Sequence, residues 1–279
     1  MKANINNNEN NIKVIERMNN ENVSIEILEF EELRGGSNVS SSIMLSFMKD
    51  SNIKLRQVKI TLNNTQIRLE AGALSYLKGN IEMNNKIGGI MGLGKKFLKG
   101  SVTGETTFKP KYSGTGEIYL EPSFGHYVII ELENEEVIVD DGVFYACEDS
   151  VEVGAAMQKN VSSAVLGQEG LFQTKLCGSG FVVLEVPVPK EEIIEHELNN
   201  ETLKVDGNFA ILRTGNINFT VETSSKSLIG SATSGEGLLN VFRGTGKVWL
   251  IPTKHVYSNL TNFGLYGMTN PGGKSNTKA

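Results

Sequence analysis

The sequence predicts an all-β protein, mainly strand with short helices, built by triplication of one β unit. Two phrases recur three times in the same order. Segments inside them alternate apolar and polar residues. Each recurrence also places a G-[ST]-G element ahead of an apolar run that ends in proline. Alternation marks a half-buried strand. Self-similarity at a fixed period marks a unit that cannot bury its apolar face alone.

The first phrase is LNNTQIRLEAG from Leu62, LENEEVIVDDG from Leu132 and LNNETLKVDG from Leu198, at offsets of 70 and 66 residues. Each copy reads as a leucine, a short polar turn, an alternating strand, then an acid and a glycine. The D-G pairs at 141–142 and 206–207 are turn chemistry. The second phrase is GETTFKPKYSGTGEIYLEP from Gly104, QEGLFQTKLCGSGFVVLEVP from Gln168 and GEGLLNVFRGTGKVWLIP from Gly235. Glycine supplies positive φ for a bulge or tight turn. Gly114, Gly116, Gly178, Gly180, Gly244 and Gly246 are therefore expected to be structural turns, with structural hydroxyls between them. EIYLEP, FVVLEVP and KVWLIP are rich in β-branched and aromatic residues, and ENVSIEILEF alternates in the same way. Pro122, Pro187 and Pro252 stop further pairing. Trp249 aligns with Tyr119 and Val183, a strand position expected in the core or at an oligomer contact. Short helices are expected at 154–166 and 87–99.

The ends are polar. Residues 1–22 form an Asn-rich segment and 256–279 a tail, both expected to be flexible because they have little apolar surface to bury. Between them, 23–255 is expected to be a single domain of three pseudo-repeats, about 23–122, 123–187 and 188–255.

GIMGLGKK at 89–96 matches the phosphate-binding G-x-x-x-x-G-K-[ST] loop except at its last position, where Lys96 replaces the hydroxyl that holds magnesium. The preceding IEMNNKIGG is too polar for a feeding strand. VIVDD at 137–141 has siblings in IRLEA and LKVDG, which makes its acids turn formers rather than magnesium ligands. Repeated alternating strands also do not build the parallel sheet of such enzymes. Nucleotide hydrolysis is not expected. Two readings of KIGGIMGLGKKFLK remain. It is a crossover between strands, or it is a contact surface for an anionic membrane or a protein partner. On a helical projection Ile87, Ile90, Met91, Leu93, Phe97 and Leu98 share one arc, and Lys95, Lys96 and Lys99 the other. Between Lys86 and Lys111 there are six lysines and a single acid, Glu105. Gly88, Gly89, Gly92 and Gly94 each disfavour helix by about 1 kcal/mol relative to Ala, so a helix here would form only against a partner, lipid or the protein itself.

A net charge of −5 argues against general nucleic-acid binding through phosphate neutralisation. Cys147 and Cys177 form no CxxC or zinc spacing, sit in apolar strand contexts and are expected to be buried, inert thiols in a reducing, cytoplasmic compartment. The N-terminus lacks the apolar stretch of a signal peptide, and no apolar run reaches membrane-spanning length. His126, His196 and His255 show neither H-x-H nor i, i+4 spacing and are expected at the surface or in loops. No G-x-S-x-G serine motif is present. No catalytic, cofactor-binding or metal-ligating residue is assigned.

LEAGALSYLKGNIEM, KIGGIMGLGKKFLKG, GETTFKPKYSGTGEIYLEP and GEGLLNVFRGTGKVWLIP together resemble the altered-inheritance-of-mitochondria protein 24 family over roughly residues 40–253. The resemblance implies a β-rich fold similar to the trp RNA-binding attenuation protein and to a short double-stranded β-helix. It implies no catalytic residues. It points to inner-membrane organisation for mitochondrial members, and to a domain of unknown function for bacterial ones. The Asn and Lys usage suits an AT-rich bacterial genome. The function expected is that of a non-enzymatic scaffold or binding module, self-associating as a homo-oligomer. The alternatives are a peripheral protein of the inner membrane face using 86–111, and a small-ligand binder or enzyme with a pocket in the β core.

Overall fold

The computed structural model of the chain describes residues 11–84, 109–157, 172–223 and 238–269. The described residues are mainly strand, with short helices, and every strand pairing given below is antiparallel. The chain divides into two compact units, Met1–Met157 with Leu171–Val186, and Gln158–Gly170 with Pro187–Ala279.

In the first unit the elements are β1 (Ile12–Asn19), β2 (Val23–Phe30), helix α1 (Val39–Asp50), β3 (Leu55–Leu69), β4 (Leu74–Asn84), β5 (Lys111–Leu120), β6 (His126–Val139), β7 (Phe144–Glu148), β8 (Val151–Met157) and β9 (Phe172–Val186). β3 organises the pairing. β2 covers its first half from Leu55 to Leu62, and β7 continues along the same edge at Ile67–Leu69. β5 runs along its other edge and carries β4 on its far side. β9 is flanked by β6 on one edge and by β7 and β8 on the other. Alternation sends Ile25, Ile27, Val58, Ile60, Leu62, Ile67, Leu69, Ile118 and Leu120 inward, each at most 1% exposed, into one apolar core.

Among the described residues the second unit contains a 3₁₀ turn (Lys190–Glu192), then β10 (Ile194–Asp206), β11 (Ala210–Thr214), β12 (Ile217–Thr223), β13 (Leu238–Leu250) and helix α2 (Lys254–Thr269). β13 holds this unit together. It pairs with β10 on one edge, and with β11 and β12 on the other. Phe219 and Phe242 pack with ring centroids 5.0 Å apart, and the Arg213 guanidinium lies 5.2 Å from the Phe219 ring, a favourable cation–π distance.

The repeated phrases fold alike, but not as expected in detail. No turn follows the leucine of the first phrase; the strand runs straight through with a β-bulge. The register moves from Leu62↔Gly116 to Thr65↔Gly114, from Glu133↔Ser179 to Glu135↔Gly178, and from Leu198↔Gly246 to Glu201↔Gly244. The extra residue is Asn64, Asn134 or Asn200, at φ 51, 55 and 56. Asparagine tolerates this left-handed region better than other side-chain-bearing residues. Its backbone N–H would be stranded by the bulge, and the G-[ST]-G hydroxyl takes it. Asn64 N donates to Thr115 Oγ1 at 2.9 Å, Asn134 N to Ser179 Oγ at 2.8 Å and Asn200 N to Thr245 Oγ1 at 3.0 Å. Replacing Thr115 by the near-isosteric valine leaves that amide without its acceptor. Thr115→Val is expected to lower stability by about 1 kcal/mol, read as a shift of the urea midpoint at unchanged slope. Serine at 115 should restore most of it.

Other expectations need correction. Residues 154–157, placed in a helix at 154–166, belong to strand β8; the β9 edge at Cys177 and Leu176 pulls Glu152 and Val153 into a ladder that local propensity does not foresee. The rest of that stretch, and 87–99, lie outside the described residues. Residues 12–19 pair with β2 despite their polarity, and 254–269 continue as α2. Helix α1 was not foreseen. Asn38 caps it, accepting from Ser41 N at 2.9 Å while Ser41 Oγ accepts from Asn38 N at 3.1 Å, a reciprocal capping box.

Candidate functional site

The residues proposed from sequence as a membrane or partner contact, Ile90, Met91, Lys95, Lys96, Phe97, Leu98 and Lys99, lie outside the described residues. Two lysines of the same basic stretch are described. Lys109 is ion-paired with Glu70, and Lys111 with Asp149. Part of the positive charge counted between 86 and 111 is therefore compensated within the protein.

Among the described residues the most distinctive surface is β4. Its inner edge is hydrogen-bonded to β5, and no described strand lies on its outer edge. Tyr76 is 51% exposed, Leu77 37% and Met83 50%. The strand is nevertheless held firmly. Tyr76 stacks on Tyr119 of β5 with centroids 4.3 Å apart and planes 12° apart. Arg17, Glu26, Lys59, Glu117 and Lys78 form a run of alternating charge across β1, β2, β3, β5 and β4, with Glu26–Lys59 at 3.3 Å, Lys59–Glu117 at 3.0 Å and Glu117–Lys78 at 2.9 Å. Hydrogen bonds from Lys78 and then Lys59 hold the Glu117 carboxyl below its usual range. Burial works against the Lys59 charge, but hydrogen bonds to Glu117 and Glu26 outweigh it and keep the ammonium above its ordinary value. The Tyr76 phenol is pushed up by burial and by its neighbours Tyr119 and Glu117.

Helix α1 offers a second exposed surface. Val39, Ile43, Met44 and Phe47 are 50–76% exposed, and the i, i+4, i+8 spacing of Val39, Ile43 and Phe47 puts them on one stripe. Beside the helix is a half-open groove of about 320 Å³, lined in part by Phe30, Leu45, Met48, Ile53 and Leu55. Glu32 in its wall takes Lys49 at 2.8 Å and also Arg34.

A third set of side chains surrounds the Pro122 turn. Ser123 Oγ is 2.7 Å from Tyr127 OH, donates to Glu185 Oε1 at 3.1 Å and accepts from Gly125 N at 3.0 Å. Arg56 reaches Glu29 at 2.9 Å and His126 Nδ1 at 3.2 Å. Burial pushes the Tyr127 phenol up, away from the range in which it would act as a base near neutrality. Ser123 is fully engaged by this set, which ties the turn to β6 and β9.

The other sequence-level candidates take structural places. His255 Nδ1 sits 2.8 Å from the Pro252 carbonyl, and its ring packs 5.5 Å from that of Phe209. No group of His, Cys, Asp and Glu able to hold a metal occurs among the described residues. Trp249 is half-buried and donates from Nε1 to Glu195 Oε2 at 2.8 Å. That bond and Lys247 hold the Glu195 carboxyl below its usual range.

The two cysteines differ. Cys177 is only half-buried, whereas Cys147 is fully buried and burial pushes its thiol up to about 12. A thiol harder to ionise in the folded than in the unfolded chain favours the fold below pH 9, and that contribution is lost as pH rises towards 12. Stability is expected to fall over this window by about 1.4 kcal/mol per pH unit from this proton. Urea titrations between pH 8 and pH 10.5 should show a shallower decline in Cys147→Ala than in the wild type. A disulfide reagent at pH 8 should label Cys177 promptly and Cys147 only after unfolding.

Comparison with known proteins adds a family and a fold. A family model described as mitochondrial biogenesis AIM24 matches residues 48–253, so β1, β2 and most of α1 precede the matched region. An uncharacterized protein of Streptococcus pyogenes serotype M6 is 26% identical over 215 residues, covering 74% of this chain and 85% of that one. The crystal structure of a Streptococcus pyogenes protein shares the fold with a TM-score of 0.55 at 21% identity, over 76% of this chain and 94% of that one.

Proposed function

The chain belongs to the mitochondrial biogenesis AIM24 family, and from that premise we propose that it is a non-enzymatic binding module that self-associates into a cytoplasmic scaffold. The observation that carries this reading is the outer edge of β4, eleven residues long, on which no described strand lies, flanked by exposed Tyr76, Leu77 and Met83. A bare strand edge with apolar neighbours is a template for another chain, and proteins that must stay monomeric blunt such edges. The same reading takes the β part as a triplicated unit related to the trp RNA-binding attenuation protein and the short double-stranded β-helix. Its support is the bulge, left-handed asparagine and hydroxyl acceptor found at Asn64, Asn134 and Asn200. The exposed stripe of α1 suits a module that also takes a partner.

Light scattering of the full chain across a dilution series tests self-association: the mass should exceed that of one chain, and a one-chain mass throughout overturns it. The reading as a peripheral membrane protein rests on residues 86–111, and the pairing of Lys109 and Lys111 weakens its electrostatic basis. Salt-sensitive flotation with anionic vesicles would favour that reading instead. Stoichiometric capture of a small molecule in the groove beside α1 would favour a ligand-binding one.

A further inference from the structure

Self-association leaves open which surfaces meet, and the chain contains its own template for one answer. At the end of β3, Ile67, Arg68 and Leu69 pair with Glu148, Cys147 and Ala146 of β7, and Glu70 N donates to the Tyr145 carbonyl at 2.8 Å. β7 meanwhile keeps β9 on its other edge, and this part of β3 keeps β5. The junction is thus a strand-to-strand weld between one repeat's long strand and the next repeat's hairpin. It leaves Ile67, Leu69, Ala146 and Cys147 at 0% exposure.

One further counterpart of each side, β4 and β10, has no strand on that edge among the described residues. The register against the G-[ST]-G strand makes Tyr76, Leu77 and Lys78 of β4 the equivalents of Ala146, Cys147 and Glu148. Tyr76 faces Tyr119 and Leu77 faces Ile118, just as Ala146 faces Val183 and Cys147 faces Val182. Both strands even carry the same irregularity, between Leu74 and Tyr76 and between Phe144 and Ala146. On the other side, Leu203, Lys204 and Val205 of β10 stand where Ile67, Arg68 and Leu69 stand in β3, five to seven residues beyond the phrase leucine. β10 pairs with β13 on one edge, and its other edge has no described strand.

We propose that copies of the chain join head to tail, the outer edge of β4 in one copy pairing antiparallel with the outer edge of β10 in the next, with Leu77 opposite Lys204. The proposal rests on the self-association reading and names its interface. Such a junction is heterologous, so it closes into a ring or grows into a filament. Its hydrogen bonds follow from the template. Glu70/Tyr145 is a hydrogen-bonded pair, so Arg68/Cys147, two residues along, is another. The amides of Leu77 and Lys204 therefore point outward, away from β5 and β13.

Proline at either position removes only an outward donor and spares the internal ladder. Leu77→Pro and Lys204→Pro are each expected to reduce the mass in light scattering to one chain, with far-UV circular dichroism unchanged and a melting temperature that no longer depends on protein concentration. Each variant keeps one good edge, Lys204→Pro its β4 and Leu77→Pro its β10. An equimolar mixture should therefore form a two-chain species and nothing larger. Leu77→Lys, which places a charge on the edge without constraining the backbone, should also weaken assembly if proline perturbs folding. If the wild type assembles but the folded variants keep its full mass, or the mixture stays at one chain, this interface is wrong and self-association stands. A wild type that is monomeric throughout sinks both. A disulfide between cysteines placed at Tyr76 and Val205 that closes within a single chain also overturns the proposal.

Discussion

Gly114→Ala is expected to cost about 3 kcal/mol or more, an unusually large loss for adding one methyl group. Gly114 sits at φ 138, where a side chain is strained whatever the space around it. There is also no space. A Cβ there would run into the Asn80 carbonyl oxygen, with the Asn80 carbonyl carbon at 3.0 Å and Ile81 Cα at 3.1 Å. All of these are backbone atoms of the neighbouring β4 strand, so relief requires breaking the Ile81↔Gly114 rung rather than turning a side chain. Gly154 in β8 is the control. Nothing lies within 4 Å of its notional Cβ, and Gly154→Ala should stay within about 0.5 kcal/mol of the wild type. Guanidinium unfolding of the two variants decides the matter. Equal midpoints would mean that close strand approach at Gly114 does not limit the fold.

Phe144→Ala should be comparably damaging, at about 3–5 kcal/mol. The ring is 2% exposed and is among the largest fully buried side chains. Lys109 Nζ lies 5.2 Å from its centroid, and Lys109 is itself tied to Glu70. Leucine separates the two contributions. Phe144→Leu keeps most of the buried apolar area but loses the aromatic face, and should cost only about 1–1.5 kcal/mol. Lys109→Met should then cost less in the Phe144→Leu background than in the wild type, the remaining cost being the lost Glu70 ion pair. Full additivity in that double-mutant cycle would show that the cation and the ring do not couple.

Much of this could be read in the sequence because the same steric problem was solved three times with the same letters. Asn64, Asn134 and Asn200 each stand two residues after the phrase leucine, and each G-[ST]-G supplies the hydroxyl that their amides need. Along the chain the asparagine has the signature of a turn, because a bulge is defined by what lies across the ladder and not by neighbours in sequence. Helix α1 was hidden by Ser40, Ser41 and Ser42, poor helix formers whose capping value emerges only with Asn38 in place. β8 was missed for the opposite reason: Gly154, Ala155 and Ala156 carry little strand preference, and β9 imposes their conformation. The open edge of β4 left no signal in its own residues, which alternate like those of any paired strand. Only the comparison with β7, whose equivalent positions are covered, marks the edge of β4 as one on which no described strand lies.

The dependence of the second unit on β13 has a consequence for how the molecule is made. β10, β11 and β12 all pair with β13, and β13 is the last of the four to leave the ribosome. Until residue 250 has been synthesised, β10 and β12 wait without the one strand that each pairs with among the described residues, and their apolar residues stay open to other nascent chains. The β10 ladder of the second unit therefore forms only when β13 arrives, a closure over a longer stretch of chain than the pairing of the consecutive strands β12 and β13. Slowing translation between β12 and β13 would lengthen that wait and lower the yield of native protein, whereas a pause after β13 would do no such harm.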